Sequence, residues 1–165
     1  MLTLRSLFFT ILIPGMVTGF IPYLILSGGP SSVEPFSPPQ VLSLVLGVAG
    51  AAILAWCIWD FAAKGRGTLA PIDPPKRLVV QGPYRYVRNP MYLGVLILLL
   101  GEAGFFRSLP LLQYAAAWFL IVQLIVVFYE EPSLRRRFGD SYERYYRSVH
   151  RWLPARPPSE TGLSG

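Results

Sequence analysis

The chain has 165 residues, of which 53% are hydrophobic and 15% are charged, and its mean hydropathy is +0.45. Soluble domains carry about 25% charged residues, so this composition excludes an ordinary soluble domain and indicates a single helical membrane domain. The formal charge of +6 is assigned to membrane orientation and anionic-lipid contact and not to nucleic acid, because nucleic-acid binding needs a solvated basic face.

Four apolar segments predict transmembrane helices near residues 7–26, 41–63, 91–106 and 111–129. The first contains Gly15-x-x-x-Gly19, a spacing that favours close packing, more against another helix of this chain than in a dimer. A cleaved signal peptide is the alternative, but the length of the segment favours a retained helix. Gly47 and Ala51 give the second segment a small-residue face, expected to meet the first helix.

Metal chemistry is poorly supported by the residue counts. The chain has one cysteine, Cys57, inside the second apolar segment, and one histidine, His150. A disulfide within the chain is excluded, and a closed zinc site needs several such ligands. We therefore expect no metal, and a small buried hydrophobic role for Cys57.

The basic residues predict the orientation in the membrane. Arg5, the 64–88 loop and the chain after Glu130 hold 14 of the 15 lysines and arginines, and only Arg107 lies elsewhere. With four spans, all the basic stretches fall on one face, which is therefore cytoplasmic. We expect a multi-pass protein with both termini in the cytoplasm, in a bacterial inner membrane.

The chain after the fourth segment predicts an amphipathic helix on the membrane surface. Apolar and aromatic residues recur there at helical spacing, and arginines fill the other face. The recurring residues are Leu134, Phe138, Tyr142, Tyr145 or Tyr146, Val149, and Trp152 or Leu153. Residues 155–165 are rich in Pro, Gly and Ser, which is typical of a flexible tail. One domain over residues 1–154 is therefore expected.

Two polar clusters border the last two apolar segments. Residues 82–94, GPYRYVRNPMYLG, place Asn89 and Pro90 at a loop-to-helix junction, where free backbone N–H groups and Arg88 predict an anion site. Glu130 and Glu131 end the fourth segment, and adjacent carboxylates are costly at a membrane edge unless they have partners. Interfacial capping by arginines and ligand binding are both open interpretations, and the following proline is expected to change the chain direction.

A tight hairpin between the last two segments would bring both clusters to one cavity with aromatic walls and charges of both signs. S-adenosylmethionine matches this description, since it has a carboxylate, an ammonium, a diol, an adenine and a sulfonium. NADPH or a lipid headgroup would also fit.

The motifs resemble the isoprenylcysteine carboxyl methyltransferase and phospholipid methyltransferase group of integral membrane enzymes. The resemblance covers residues 78–154 and rests on the 82–94 stretch, the acid pair and the pattern from Leu134 to Pro154. It implies a helical membrane fold, S-adenosylmethionine as cofactor at the cytosolic side, and a lipid or lipid-linked methyl acceptor. The cofactor-binding residues that it implies are Tyr84, Val87, Arg88, Asn89, Pro90, Tyr92, Gly94, Glu130 and Glu131.

Glu131 and Arg151 are the predicted catalytic residues. A carboxylate acceptor is ionised at pH 7 and needs no base, whereas an amine would need one, for which Glu131 is suited, and Arg151 would position an anionic acceptor. Carboxyl O-methylation is favoured over N-methylation.

Asn89 stands where the family has histidine, and asparagine cannot titrate near neutral pH. A sterol-reductase-like enzyme that uses NADPH and a non-catalytic membrane adaptor are the alternatives.

Overall fold

A computed structural model describes residues 12–28, 37–64 and 82–154. These residues form helices and turns and contain no strand, which confirms the all-helical fold class. The helices are α1 (Leu12–Ser27), α2 (Pro38–Lys64), α3 (Pro90–Phe105), α4 (Leu109–Phe138) and α5 (Asp140–Ser148), with a 3-10 turn at Gly82–Arg85. The start of the first predicted helix, most of the predicted basic loop and the predicted tail lie outside the described residues.

Two of the described helices are long and apolar enough to cross a membrane, over Pro38–Asp60 and Leu109–Phe138. The other two apolar helices, α1 and α3, are shorter. The 16 residues of α3 span only about 24 Å at 1.5 Å per residue, less than the roughly 30 Å of a bilayer core. Apolar helices are therefore present at the four predicted places, two of them long enough to span a membrane, while the count of four spans stays a prediction.

Helices α2 and α3 pack closely because glycines line their contact. A methyl group on Gly101 would overlap the backbone of Gly47, and one on Gly50 would overlap the backbone of Leu98. The expectation that Gly47 faces the first helix is wrong, since it faces α3. Below these glycines, Leu54 and the fully buried Cys57 begin a core that continues into α3 and α4.

Helix α1 lies against α3 and α4 through Val17, whose carbonyl accepts a hydrogen bond from the Tyr114 hydroxyl at 3.1 Å. Gly15 and Gly19 are exposed instead, and within the described residues nothing lies within 4 Å of a β-carbon at either position. The expected packing of these two glycines against another helix of the chain is therefore wrong for the part that the structure describes.

Helix α4 continues through Pro132, which corrects the expected change of direction. A π-helical turn at Val126–Glu130 comes immediately before, and the Glu131 N–H donates to the carbonyl five residues back, at Val126. A proline ring clashes with the carbonyl four residues earlier in a regular α-helix, and the wider π turn relieves that clash. The helix ends instead at Gly139, whose φ of +50° favours glycine.

The turn between α3 and α4 makes these helices an antiparallel pair. Ser108 caps α4 by accepting from the Leu111 N–H, and Arg107 adopts a φ of +48°. The Arg107 guanidinium donates to the Ser37 hydroxyl at 2.7 Å, and Gln40 donates to the Phe105 carbonyl at 3.2 Å. These bonds fasten the turn to the start of α2. The start of α3 and the acid pair of α4 consequently lie at the opposite end.

Candidate functional site

Glu131 is the centre of a buried ion cluster at that end. Arg151 donates to both of its carboxylate oxygens, from Nε at 2.8 Å and from Nη2 at 2.9 Å. Arg88 Nη1 lies 3.3 Å from Glu131 Oε1, and the Arg88 and Glu131 side chains are each only 9% exposed. The hydrogen bonds that Arg151 donates to Glu131 raise the pKa of Arg151. The cluster therefore holds two cations against one carboxylate in a largely water-free place.

Tyr92 connects the start of α3 to the other acid. Its hydroxyl donates to Glu130 Oε1 at 2.5 Å, which is a short, charge-assisted hydrogen bond. The Tyr92 ring also meets the Trp118 ring edge-on, with centroids 6.3 Å apart. Both acids of the pair thus have partners, and the partner of Glu130 is a neutral phenol while that of Glu131 is a pair of arginines.

Arg88 has hydrogen-bonding capacity that the described residues do not use. Its guanidinium carbon lies 4.0 Å above the Tyr146 ring, and its backbone N–H donates to the His150 carbonyl at 3.0 Å. The Nε and Nη1 atoms are buried and make no hydrogen bond to any described residue, so the contact of Nη1 with Glu131 is electrostatic only. Buried donors without a partner are costly, so this guanidinium is suited to an anionic ligand.

The described part of the C-terminal region covers the cluster. Tyr142, Tyr145 and Val149 are buried against Leu134 and Phe138 of α4, so the predicted apolar face packs within the chain. Gly139 divides this stretch between α4 and α5, so the expectation of one continuous helix is wrong, and a position on the membrane surface stays a prediction. The Tyr145 hydroxyl donates to the Tyr84 carbonyl at 2.7 Å. Burial raises the pKa of Tyr145 and of Tyr84, so both phenols stay protonated at neutral pH, and the Tyr145 hydroxyl is available as a donor.

An apolar cavity of about 310 Å³ lies beside Tyr92, between α1, α3 and α4. Its volume is at the lower end of the range of small-molecule pockets, about 300–1,000 Å³. The Tyr92 side chain lines this cavity, and its hydroxyl donates a hydrogen bond to Glu130 of the acid pair. The other lining residues are Ile13, Pro14, Val17, Met91, Val95, Trp118, Ile121, Val122 and Ile125.

The structure brings together five of the predicted site residues, namely Arg88, Tyr92, Glu130, Glu131 and Arg151. Tyr84 is linked to the covering segment by the hydrogen bond that its carbonyl accepts from the Tyr145 hydroxyl. The remaining predicted cofactor-binding residues are placed by backbone packing: Val87 and Pro90 are buried, Asn89 precedes α3 without capping it through its side chain, and Gly94 lies against the α2 backbone, where a β-carbon would be 3.0 Å from the Leu54 nitrogen. Their binding roles stay predictions.

Two contacts near the cluster were not predicted from the sequence. Tyr146 lies under both Arg88 and Arg135, whose guanidinium carbons are 4.0 and 4.5 Å from its ring centroid. Trp152 donates from Nε1 to Gln123 Oε1 at 2.7 Å. An isolated glutamine within the apolar run of α4 was the available signal for the second contact, since an intramembrane amide requires a partner.

Comparison with known proteins supports the family that the sequence motifs resemble. Residues 39–141 match the phospholipid methyltransferase family model. A protein-S-isoprenylcysteine O-methyltransferase from Schizosaccharomyces pombe is 41% identical over 83 residues, which cover 48% of this chain and 34% of that protein. The chain thus spans about a third of the length of this relative, and a fission yeast protein gives no support for a bacterial inner membrane. No solved structure matches significantly. Because the family model covers more than half of the chain, the protein belongs to the phospholipid methyltransferase family.

Proposed function

We propose that the protein is an S-adenosylmethionine-dependent methyltransferase that modifies the carboxylate of an acceptor with a hydrophobic tail, at the cytoplasmic interface of a membrane. The observation that carries the proposal is the meeting of the buried polar cluster, formed by Arg88, Tyr92, Glu130, Glu131 and Arg151, with an apolar cavity at Tyr92. A lipid-linked acceptor needs such a junction, because its reactive group is polar and its tail is not.

The polar groups of the cluster fit the cofactor. The unpartnered Nε of Arg88 suits the α-carboxylate, and Glu130 suits the ammonium. Tyr84 and Tyr92 supply aromatic faces, and the family resemblance adds Val87, Asn89, Pro90 and Gly94. When bound, S-adenosylmethionine supplies an electrophilic methyl group on a sulfonium. The chain's own residues then have to align the acceptor with that methyl group and exclude water, and alignment supplies a large share of such rate enhancements.

The hydrogen bonds that Glu131 already accepts favour a carboxylate as the methyl acceptor over an amine. Both Glu131 oxygens already accept hydrogen bonds from Arg151, so taking a proton from an ammonium would break a bidentate contact inside a buried cluster. A carboxylate acceptor is ionised at neutral pH and requires no proton transfer. In this proposal Glu131 and Arg151 act by holding charge and geometry, and the isoprenylcysteine class of acceptor is preferred to a phospholipid amine.

The apolar cavity supports lateral entry of the acceptor. Its walls come from three apolar helices, and the side chains that line it carry one hydroxyl, that of Tyr92, and one indole N–H, that of Trp118. A hydrophobic tail in this cavity would leave the acceptor's polar end beside Tyr92, next to the acid pair. We propose that this end of the bundle is cytoplasmic, with a multi-pass chain and both termini in the cytoplasm.

Calorimetry on the full chain in detergent tests the function, with S-adenosylhomocysteine and NADPH as probes. Binding of S-adenosylhomocysteine is expected, and Arg88→Ala should weaken it about tenfold or more, since a hydrogen bond to a charged group contributes about 1.5–3 kcal/mol. Arg136→Ala, at an exposed arginine, is the matched control and should bind normally. Binding of NADPH alone would indicate a reductase, and binding of neither probe would indicate an adaptor.

Labelling tests the orientation. Ser141 is exposed at the start of α5, and Cys57 is fully buried, so Ser141→Cys provides a single accessible thiol among the described residues. An impermeant maleimide should reach it only from the cytoplasmic side of sealed vesicles. Labelling from the other side alone would contradict the proposed topology.

A further inference from the structure

We infer that Gln123 and Trp152 are positioning residues, which fix the segment after α5 so that Arg151 engages Glu131. This inference rests on the proposed function, because it assigns the pair a purpose in shaping the cofactor site. Neither residue makes a hydrogen bond or an ion pair with Glu131, whose polar partners are Arg88 and Arg151, so their effect passes through Arg151.

The contact between the two residues has two parts. Trp152 Nε1 donates to Gln123 Oε1 at 2.7 Å, and the Trp152 ring meets the Phe119 ring edge-on with centroids 5.2 Å apart. Phe119 and Gln123 are four residues apart on α4, so they lie on one face of the helix. Helix α4 therefore offers an aromatic surface and a hydrogen-bond acceptor to one indole, which fixes both the place and the rotation of that ring.

The energetics of the membrane favour this pairing. Gln123 lies within the apolar span of α4, where an amide without a partner is expensive. The indole N–H of Trp152 is likewise a donor that needs an acceptor when it is covered. Separating the pair would leave both groups unsatisfied, so the contact is worth more to the structure than an exposed hydrogen bond.

The segment joins three parts of the site through consecutive residues. Helix α5 ends at Ser148, and Val149 is extended. The His150 carbonyl then accepts from the Arg88 N–H at 3.0 Å, Arg151 holds both oxygens of Glu131, and Trp152 docks on α4. Neighbouring Cα atoms are only 3.8 Å apart. Fixing Trp152 therefore restricts where the Arg151 side chain begins and supports its bidentate geometry.

Two measurements on the full chain in detergent test the inference. Gln123→Leu should weaken binding of S-adenosylhomocysteine about tenfold and should speed hydrogen exchange at the amides of residues 149–153. Trp152→Phe keeps an aromatic ring but removes the N–H, and it should likewise weaken binding and speed exchange at these amides. Gln113→Leu makes the same chemical change at an exposed position of α4 and should alter neither measurement. Unchanged exchange at residues 149–153 in both Gln123→Leu and Trp152→Phe would overturn the inference.

A double-substitution experiment separates positioning from general stabilisation. If the pair acts through Arg151, Gln123→Leu should cause no further loss of affinity in an Arg151→Ala background. A second, additive loss of about tenfold would overturn the inference, because a merely structural effect does not depend on Arg151. If the unmodified protein fails to bind S-adenosylhomocysteine, the proposed function is wrong, and the exchange measurement still decides whether the pair fixes the segment.

Discussion

Replacing Glu131 by glutamine should destabilise the protein far more than the same change at an exposed ion pair. The substitution keeps the size of the side chain but removes the charge that faces Arg88 and Arg151. At an effective dielectric constant of 20, a unit charge pair at 3.3 Å, the Arg88–Glu131 separation, attracts by about 5 kcal/mol, and one at 2.8 Å, the Arg151–Glu131 separation, by about 6 kcal/mol. Desolvation offsets much of this attraction, and removal of one partner from a buried pair costs about 3–5 kcal/mol net.

For Glu131→Gln we take the lower end of this range, a loss of about 3 kcal/mol in the free energy of unfolding, because glutamine still accepts one hydrogen bond. For a chain of this length that loss corresponds to a fall in Tm of about 6–12 °C. Differential scanning fluorimetry in detergent measures it. The matched control is Glu143→Gln: Glu143 pairs with Arg135 at 2.8 Å, but the two side chains are 40% and 46% exposed, so the loss there should stay below about 1 kcal/mol. Equal shifts in Tm for the two variants would refute the reasoning from burial.

Three further outcomes are expected. Tyr92→Phe removes a 2.5 Å hydrogen bond to a carboxylate and should weaken binding of S-adenosylhomocysteine about tenfold; calorimetry that finds unchanged affinity would exclude Tyr92 from the site. Gly101→Ala places a methyl group against the α2 backbone and should lower the free energy of unfolding by about 1–3 kcal/mol. Gly15→Ala, where no atom of the described residues lies within 4 Å of the added methyl group, should not lower it, and equal losses in chemical denaturation would argue against the close contact. Burial raises the pKa of Tyr145 above its usual value of about 10, so the folded state holds this proton when the unfolded state releases it. The contribution of Tyr145 to the free energy of unfolding should therefore be constant below about pH 9 and should decline above about pH 10. Tyr145→Phe should make the fall of Tm at alkaline pH less steep.

The helices were predictable because long apolar runs in the sequence predict apolar helices. The segments predicted near 41–63 and 91–106 correspond to Pro38–Lys64 and Pro90–Phe105, and long apolar runs leave few other structures open to the backbone. The end of α4 was not predictable in the same way. Pro132 normally interrupts a helix, and the sequence contains no separate sign of the π turn that accommodates it.

Partner choice between helices was the weaker part of the prediction. Gly47 was correctly read as a close-packing residue, but it meets α3 instead of α1. A small residue permits close approach without specifying to what. The pairing of Gly101 with Gly47 depends on how two helices match along their whole length, which spacing within one helix does not reveal.

The site was predictable where charge demanded a partner. Two acids at a membrane edge require cations or donors, and the structure supplies Arg151 and Arg88 to one and Tyr92 to the other. The contact of Gln123 with Trp152 was not predictable, because the partner of a lone intramembrane amide can lie anywhere in the chain. The place of Arg151 beside Glu131 was likewise visible only in three dimensions.

The π turn at Val126–Glu130 also sets the rotation of α4 beyond it, because a π turn holds one more residue than an α turn does. If the same residues adopted regular α geometry, every later side chain would be rotated by about 100° around the axis. The carboxylate of Glu131 would then face away from both arginines, although its sequence neighbours were unchanged. The extra residue of the π turn therefore decides which face of α4 carries Glu131.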